Sequence, residues 1–264
     1  MTTITICQRK GGNGKSTSAL NLAHAFARRG LRVLLIDLDD QKNTTSAIAH
    51  GGRDPVTVDR LLVDPEIPLV EAAMATGWEG VSLIPASGNL SGAIRELDAE
   101  VGSHLVLREK LTSASGLFDL CLIDTSPSLN ILVVNALCAS RYAFIPLSSR
   151  YFSLQGLGQT LESVRKVSSR LNPELAVLAC AFVIHDRRSS LAREVVEKAK
   201  EEYPALVCDT TVGVNIRIEE AQVVQKSIFD YAPDDRGAAQ YESLAAELLD
   251  RLDGGGGVHG KEDA

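Results

Sequence analysis

The stretch QRKGGNGKST at residues 8–17 holds two lysines, three glycines and a Ser-Thr pair in ten positions. A loop of the form G-x-x-x-x-G-K-[ST] folds its backbone amides around phosphate oxygens, sends its lysine to the outer phosphates and offers its hydroxyl to Mg²⁺. Gly14, Lys15 and Ser16 supply the end of that pattern. Arg9 stands where its first glycine belongs, and an additional lysine, Lys10, precedes Gly11 and Gly12. The candidate phosphate contacts are therefore Gly11, Gly12, Asn13, Gly14, Lys15, Ser16 and Thr17, with Lys10 as a second positive charge on the same loop.

A magnesium–nucleotide site also needs a carboxylate at the end of another buried strand. Asp124 ends the apolar run FDLCLID and suits that task, holding the ion directly or through water. Asp37 and Asp39 flank Leu38 after the run RVLLID. They are expected to diverge to opposite sides of an extended chain, one orienting a water molecule and the other supporting the loop.

These residues need a scaffold that gathers strand ends. Apolar, β-rich runs at 4–7, 32–37, 81–85, 118–124, 142–147 and 175–184 alternate with helix-spaced segments at 16–29, 90–113, 154–171, 189–202 and 237–252. Continuous apolar strands separated by helices specify a parallel sheet covered on both faces. The predicted fold is a doubly wound, mostly parallel α/β sheet whose ligands sit beyond the C-terminal ends of the strands. Residues 8–17, 38–46 and 125–130 all lie there. One domain is expected over residues 1–252, followed by a flexible tail, DGGGGVHGKEDA, at 253–264.

The chain has 264 residues, 45% of them hydrophobic and 23% charged, enough for a substantial core. A formal net charge of −7 excludes a uniformly cationic nucleic-acid coat and leaves room for a local basic patch. Five cysteines without a C-x-x-C pair read as reduced, packed thiols. The start, TITIC, carries no basic segment followed by an apolar core, and no apolar run approaches the roughly 20 residues that span a bilayer. A cytoplasmic location is expected.

The motifs resemble those of a known family. KGGNGKST matches the deviant Walker A motif K-G-G-x-G-K-[ST], VLLIDLDDQKNTT resembles its switch I, and DLCLIDTSPSLNILVVNAL resembles its switch II. The stretches NIRIEEAQ and DDRGAAQYESLAAELL resemble the C-terminal part of ParA/Soj partition ATPases, so the likeness runs from about residue 3 to 250. It implies a P-loop fold, ATP and Mg²⁺ as cofactors, and slow, partner-stimulated hydrolysis of ATP in an ATP-dependent homodimer. Lys10 is then the lysine that crosses to the partner's phosphates, and Asp39 is the switch I aspartate required for hydrolysis. Ser16, Asp39 and Asp124 fall on the metal side.

The resemblance further implies non-specific binding of double-stranded DNA by the dimer, through Arg188 in HDRRSSL and Arg217 in NIRIEEA. Arg150, Arg187 and Lys226 are candidate auxiliaries. A ParB-like activator, a nucleoid-associated location and a task in chromosome or plasmid partition belong to the same picture. Too few residues precede residue 3 for an operator-reading helix-turn-helix domain, so sequence-specific repression is not expected.

Alternatives are a relative that positions a protein cargo on the nucleoid, or a MinD-like membrane-cycling ATPase. The second needs a C-terminal amphipathic helix, which DRLDGGGGVHGKEDA lacks, so no stable membrane association is expected. An iron–sulfur relative would need ligating cysteines on loops, whereas Cys121 and Cys138 fall in strand and helix patterns. The chain departs from the family pattern at Asn13, Asp40, Lys42, Ser126 and Val214.

Overall fold

The computed structural model describes residues 1–49, 55–150, 153–255 and 257–258. Its strands are β1 (Thr2–Ile6), β2 (Val33–Leu38), β3 (Met74–Ala75), β4 (Val81–Ile84), β5 (Leu120–Thr125), β6 (Tyr142–Ser148) and β7 (Ala176–Ile184). They form one sheet in the order β3-β4-β2-β5-β1-β6-β7. Each pairing is parallel except the antiparallel pair of β3 with β4. All six expected strand runs are present. β3 was not expected, because two residues are too few to show an alternation.

The strands alternate between two apolar layers, as residues of period two must. Val33 and Leu35 of β2 join the layer beneath Phe26 and Tyr241, while Leu34 and Ile36 join a second layer with Leu61 and Leu90. On β6, Phe144 faces the first layer, while Ala143 and Ile145 face a third cluster with Leu157 and Val164. Strands buried on both faces read as continuous apolar runs, and that is why the sequence displayed them.

The helices are α1 (Lys15–Arg28), α2 (Asn43–Ile48), α3 (Val58–Val63), α4 (Leu69–Ala72), α5 (Leu90–Asp98), α6 (Val106–Ser113), α7 (Ile131–Ala139) and α8 (Ser153–Arg170). After β7 come α9 (Ser190–Glu202), α10 (Ile216–Val223), α11 (Ile228–Tyr231) and α12 (Arg236–Asp253). α1 and α12 cover the face that carries Ile4 and Ile6, and α7 and α8 cover the other.

One expectation needs correction. The helix expected over 90–113 is broken into α5, a 3-10 turn at Ser103–Leu105 and α6. Gly102 takes a φ of 84°, a left-handed conformation that a helix interior does not accommodate. Within the segment expected to form a flexible tail, Val258 exchanges both backbone hydrogen bonds with Val177 across an antiparallel bridge, at 3.2 and 3.1 Å. Residues 256 and 259–264 lie outside the described residues.

All five cysteines are buried and unpaired, Cys121 on β5 and Cys138 in α7. Burial pushes the Cys7 thiol up to about 12 and the Cys138 thiol up to about 11, so both stay protonated at neutral pH.

Candidate nucleotide site

β1 ends at Ile6, and the chain then turns through Gly11, Gly12 and Gly14 into α1. Gly12 and Gly14 have φ of 73° and 75°, where an L side chain is strained. At Gly14 a Cβ would also stand 2.9 Å from Val183 Cγ2 on β7, so glycine is required there twice over. Gly14 is the N-cap of α1 and gives no side-chain cap, and the first turn carries no acidic residue. The opening amides of α1 therefore keep their donors for an anion, with the positive end of the helix dipole behind them.

Lys15 is 7% exposed on the inner side of that turn. Nearby lie Asp39 and Asp124, whose carboxyls both feel its positive charge. Asp124 pairs in register with Ile6 of β1 on one side and Asp37 of β2 on the other. Its Oδ2 accepts from Thr44 Oγ1 at 2.7 Å, while its Oδ1 is buried without a hydrogen-bond partner. Burial, and then the Asp37 charge alongside, push Asp124 up to about 7 against the pull of Ser16, Thr44 and Lys15. Such a carboxylate is short of positive charge.

Asp37 and Asp39 do not diverge, because residues two apart in an extended strand share a face. The Asp39 amide donates to Asp37 Oδ1 at 3.0 Å, and Asp37 Oδ2 accepts from the amide and the hydroxyl of Thr45 at 2.8 and 2.7 Å. Asp37 thus pins the start of α2, which is the supporting role expected of one of the pair. Burial still leaves it raised to about 6. Asp39 accepts from the Gln41 amide at 3.1 Å, and burial is the main cause of its raised pKa.

An open cavity of about 720 Å³ lies over this group, large enough for a nucleoside triphosphate. Gly11, Gly12 and Gly14 to Thr17 line its floor, Asp39, Gln41 and Asn43 one wall, and Glu219, Gln222 and Val223 of α10 the other. Asn13 is the loop member that turns away: 1% exposed, it accepts from Ser148 Oγ at 2.9 Å beneath the loop. The α10 wall was missed in the sequence, where NIRIEEAQ points by its resemblance to ParA/Soj ATPases to Arg217 and not to a place beside the nucleotide. α10 is tied across the cavity to α2 by Gln225, which takes a φ of 55° and donates from Nε2 to Ser46 O at 3.0 Å.

Residues 1–177 match the family model described as an AAA domain. Over 250 residues the chain is 36% identical to the chromosome partitioning protein ParA of Caulobacter vibrioides, covering 94% of each chain. The chain belongs to the ParA/Soj family of deviant Walker A ATPases. It is likewise 36% identical over 246 residues to the sporulation initiation inhibitor protein Soj of Bacillus subtilis, covering 93% of this chain and 97% of that one. Among solved structures, cobyrinic acid a,c-diamide synthase from Mycobacterium smegmatis, with bound ADP and magnesium, superimposes with a TM-score of 0.83 at 28% identity, covering 97% of both chains.

The two arginines singled out by the ParA/Soj resemblance lie on neighbouring segments beyond β7. His185 bridges Gly213 in parallel, and Val214 N donates to His185 O at 3.2 Å. Arg188 follows one segment with its side chain 95% exposed, held loosely by Asp186 at 3.6 Å. Arg217 follows the other in the first turn of α10, bonded to Glu220 at 3.0 Å. Arg187, on the same loop, donates to Thr211 Oγ1 at 3.4 Å. Val214, where the ParA/Soj pattern has an arginine, is an exposed valine.

Proposed function

We propose that this chain is an ATP-driven dimeric switch that holds duplex DNA without regard to sequence and, with a ParB-like activator, segregates a chromosome or plasmid. One observation carries the nucleotide half of this reading. An uncapped helix N-terminus and a buried lysine line one cavity, and behind them the buried Asp124, with one orphaned carboxylate oxygen, lies within reach of that lysine's charge.

ATP bound there would supply the transferable phosphoryl group, and Mg²⁺ would neutralise charge as it moves. The residues present fit both. The amides of residues 11–17 would hold phosphate oxygens, Lys15 would neutralise them, and Ser16 and Asp124 would hold the ion directly or through water. Among the described residues no cluster of three or more His, Cys, Asp or Glu forms a ligand cage. Most of the oxygens around the ion would then be phosphate and water, the arrangement Mg²⁺ favours. Asp39, on the same side, orients the attacking water. Lys10 reaches the phosphates of a second copy, stabilises their developing charge and so makes hydrolysis depend on dimerisation.

The DNA half rests on Arg188 and Arg217, exposed on segments that the His185–Gly213 bridge holds side by side. α10 carries Arg217 at its start and lines the nucleotide cavity at its end, which gives bound nucleotide a route to the arginines. No helix among the described residues is long and apolar enough to cross a membrane.

Binding of non-specific duplex DNA, measured with ATP and with ADP for the wild type and for Arg188→Glu/Arg217→Glu, tests the proposal. ATP-dependent binding that disappears in the double variant is expected. Hydrolysis of ATP without DNA binding in either state would leave the nucleotide site standing and remove the partition reading.

A further inference from the structure

Helix α8 presents one face to the underside of the phosphate loop, and three of its residues touch that loop's supports. Ser153, Gly156 and Thr160 lie at positions i, i+3 and i+7, one stripe of a helix. Ser153 Oγ lies 2.8 Å from Ser148 Oγ, which donates to Asn13 Oδ1. Thr160 Oγ1 donates to Gln8 Oε1 at 2.8 Å and accepts from the Arg9 amide at 3.2 Å. Gln8 Oε1 in turn accepts from the Lys10 amide at 3.4 Å. At Gly156 a Cβ would stand 3.4 Å from Gln8 Oε1 and 3.6 Å from Lys10 Cβ. Gln8, Asn13, Ser148, Ser153 and Thr160 are all buried, none above 2% exposed.

Two features show that this contact is specific rather than incidental packing. Gln8 Nε2 is buried without a partner, so the carboxamide is kept inside at the cost of an unpaired donor. The Thr160 hydroxyl has one proton for two acceptors, since the Gly156 carbonyl also lies at 2.8 Å. Turning the Gln8 amide over lets Nε2 donate to Thr160 and leaves the hydroxyl proton to Gly156. In both orientations the bond between Gln8 and Thr160 is kept, while the Lys10 amide finds its acceptor in the first alone.

We propose that Thr160 is a positioning residue for Lys10: through Gln8 it fixes the backbone of residues 8–10, and with it the direction in which the lysine leaves the loop. The proposal rests on the reading that Lys10 acts on phosphates. It adds that α8, more than 140 residues further along the chain, sets the aim of that charge. A misplacement on the order of 1 Å in a catalytic group costs up to about a hundredfold in rate, so a small shift of the Gln8 backbone suffices.

The test compares the full chain with Thr160→Val, Thr160→Ser, Thr160→Ala and Lys10→Ala, at saturating Mg·ATP and a protein concentration at which the rate per chain no longer rises. Turnover, Mg·ATP affinity and thermal midpoint are read for each. Thr160→Val and Thr160→Ala are expected to lower kcat at least about fivefold while affinity stays within about twofold, and Thr160→Ser to restore kcat. If Thr160→Val does not fold, Thr160→Ala decides by the same criteria. Wild-type turnover in Thr160→Val or Thr160→Ala beside an inactive Lys10→Ala overturns the positioning role alone. Equal losses in Thr160→Val and Thr160→Ser overturn it as well, because the hydroxyl is then not the agent. Wild-type turnover in Lys10→Ala overturns both the positioning role and the reading of Lys10 beneath it.

Discussion

The Thr44 hydroxyl donates to Asp124 Oδ2 at 2.7 Å, tying α2 to the C-terminal end of β5. It is the hydrogen bond that satisfies one oxygen of a carboxylate whose other oxygen has none. Thr44→Val leaves both oxygens buried and unpaired. A loss of about 1–3 kcal/mol is expected in the nucleotide-free protein, read from the urea midpoint. Mg·ADP should recover part of that loss, since a ligand bound only to the folded state stabilises it.

Asp37 and Asp124 sit side by side in register, with pKa values raised to about 6 and about 7 mainly by burial. A raised carboxyl favours the folded state while it is protonated. Its contribution is fully present below the unfolded value near 3.9 and is lost as pH rises through the folded value. The nucleotide-free, metal-free protein should therefore lose stability between about pH 4 and pH 7. Asp124→Asn removes the charge and keeps the shape. It should unfold at the wild-type urea concentration at pH 4 and at a higher one at pH 8; identical midpoints at pH 8 would rule this account out.

Lys10→Ala and Asp39→Ala should separate binding from hydrolysis. Both variants keep the cavity floor and Lys15, so Mg·ATP affinity is expected to change little. Turnover should fall by at least about a hundredfold in each, the scale on which an aimed donor or charge contributes to a transition state. Asp39→Ala is expected to remain an ATP-bound dimer by size exclusion, because the partner's lysine is still supplied. Normal turnover in either variant would remove the mechanism.

If the dimer presents Arg188 and Arg217 twice, about four phosphate contacts give a slope near −3.6 for the logarithm of DNA affinity against that of salt. Arg217→Ala alone should reduce the slope to about −1.8. Fluorescence anisotropy on two unrelated duplexes of equal length should return the same slope for both.

The sequence carried most of the sheet and the floor of the site because both are local. Strands buried on two faces are unbroken apolar runs, and Gly14-Lys15-Ser16 is contiguous. Asp124 stands out in the sequence because it closes such a run. The two-residue β3 was too short to leave a pattern, and the break at Gly102 was hidden by helix-like spacing on both sides. Gln222 of the cavity wall and the Gln8–Thr160 bond were out of reach for another reason. The second joins residues 152 positions apart, and no single-chain pattern connects them.

Both margins of the sheet are blunt. One ends in the two residues of β3. The other, β7, is already bonded along its length to Val258, Leu206, Cys208 and Val212. Among the described residues, neither side offers a long row of vacant amides and carbonyls on which another molecule's strand could continue the ladder. A filament built on the described sheet would therefore grow through side chains on its helices and loops. Contacts of that kind come apart with a change of nucleotide or salt, whereas a shared sheet would persist through both.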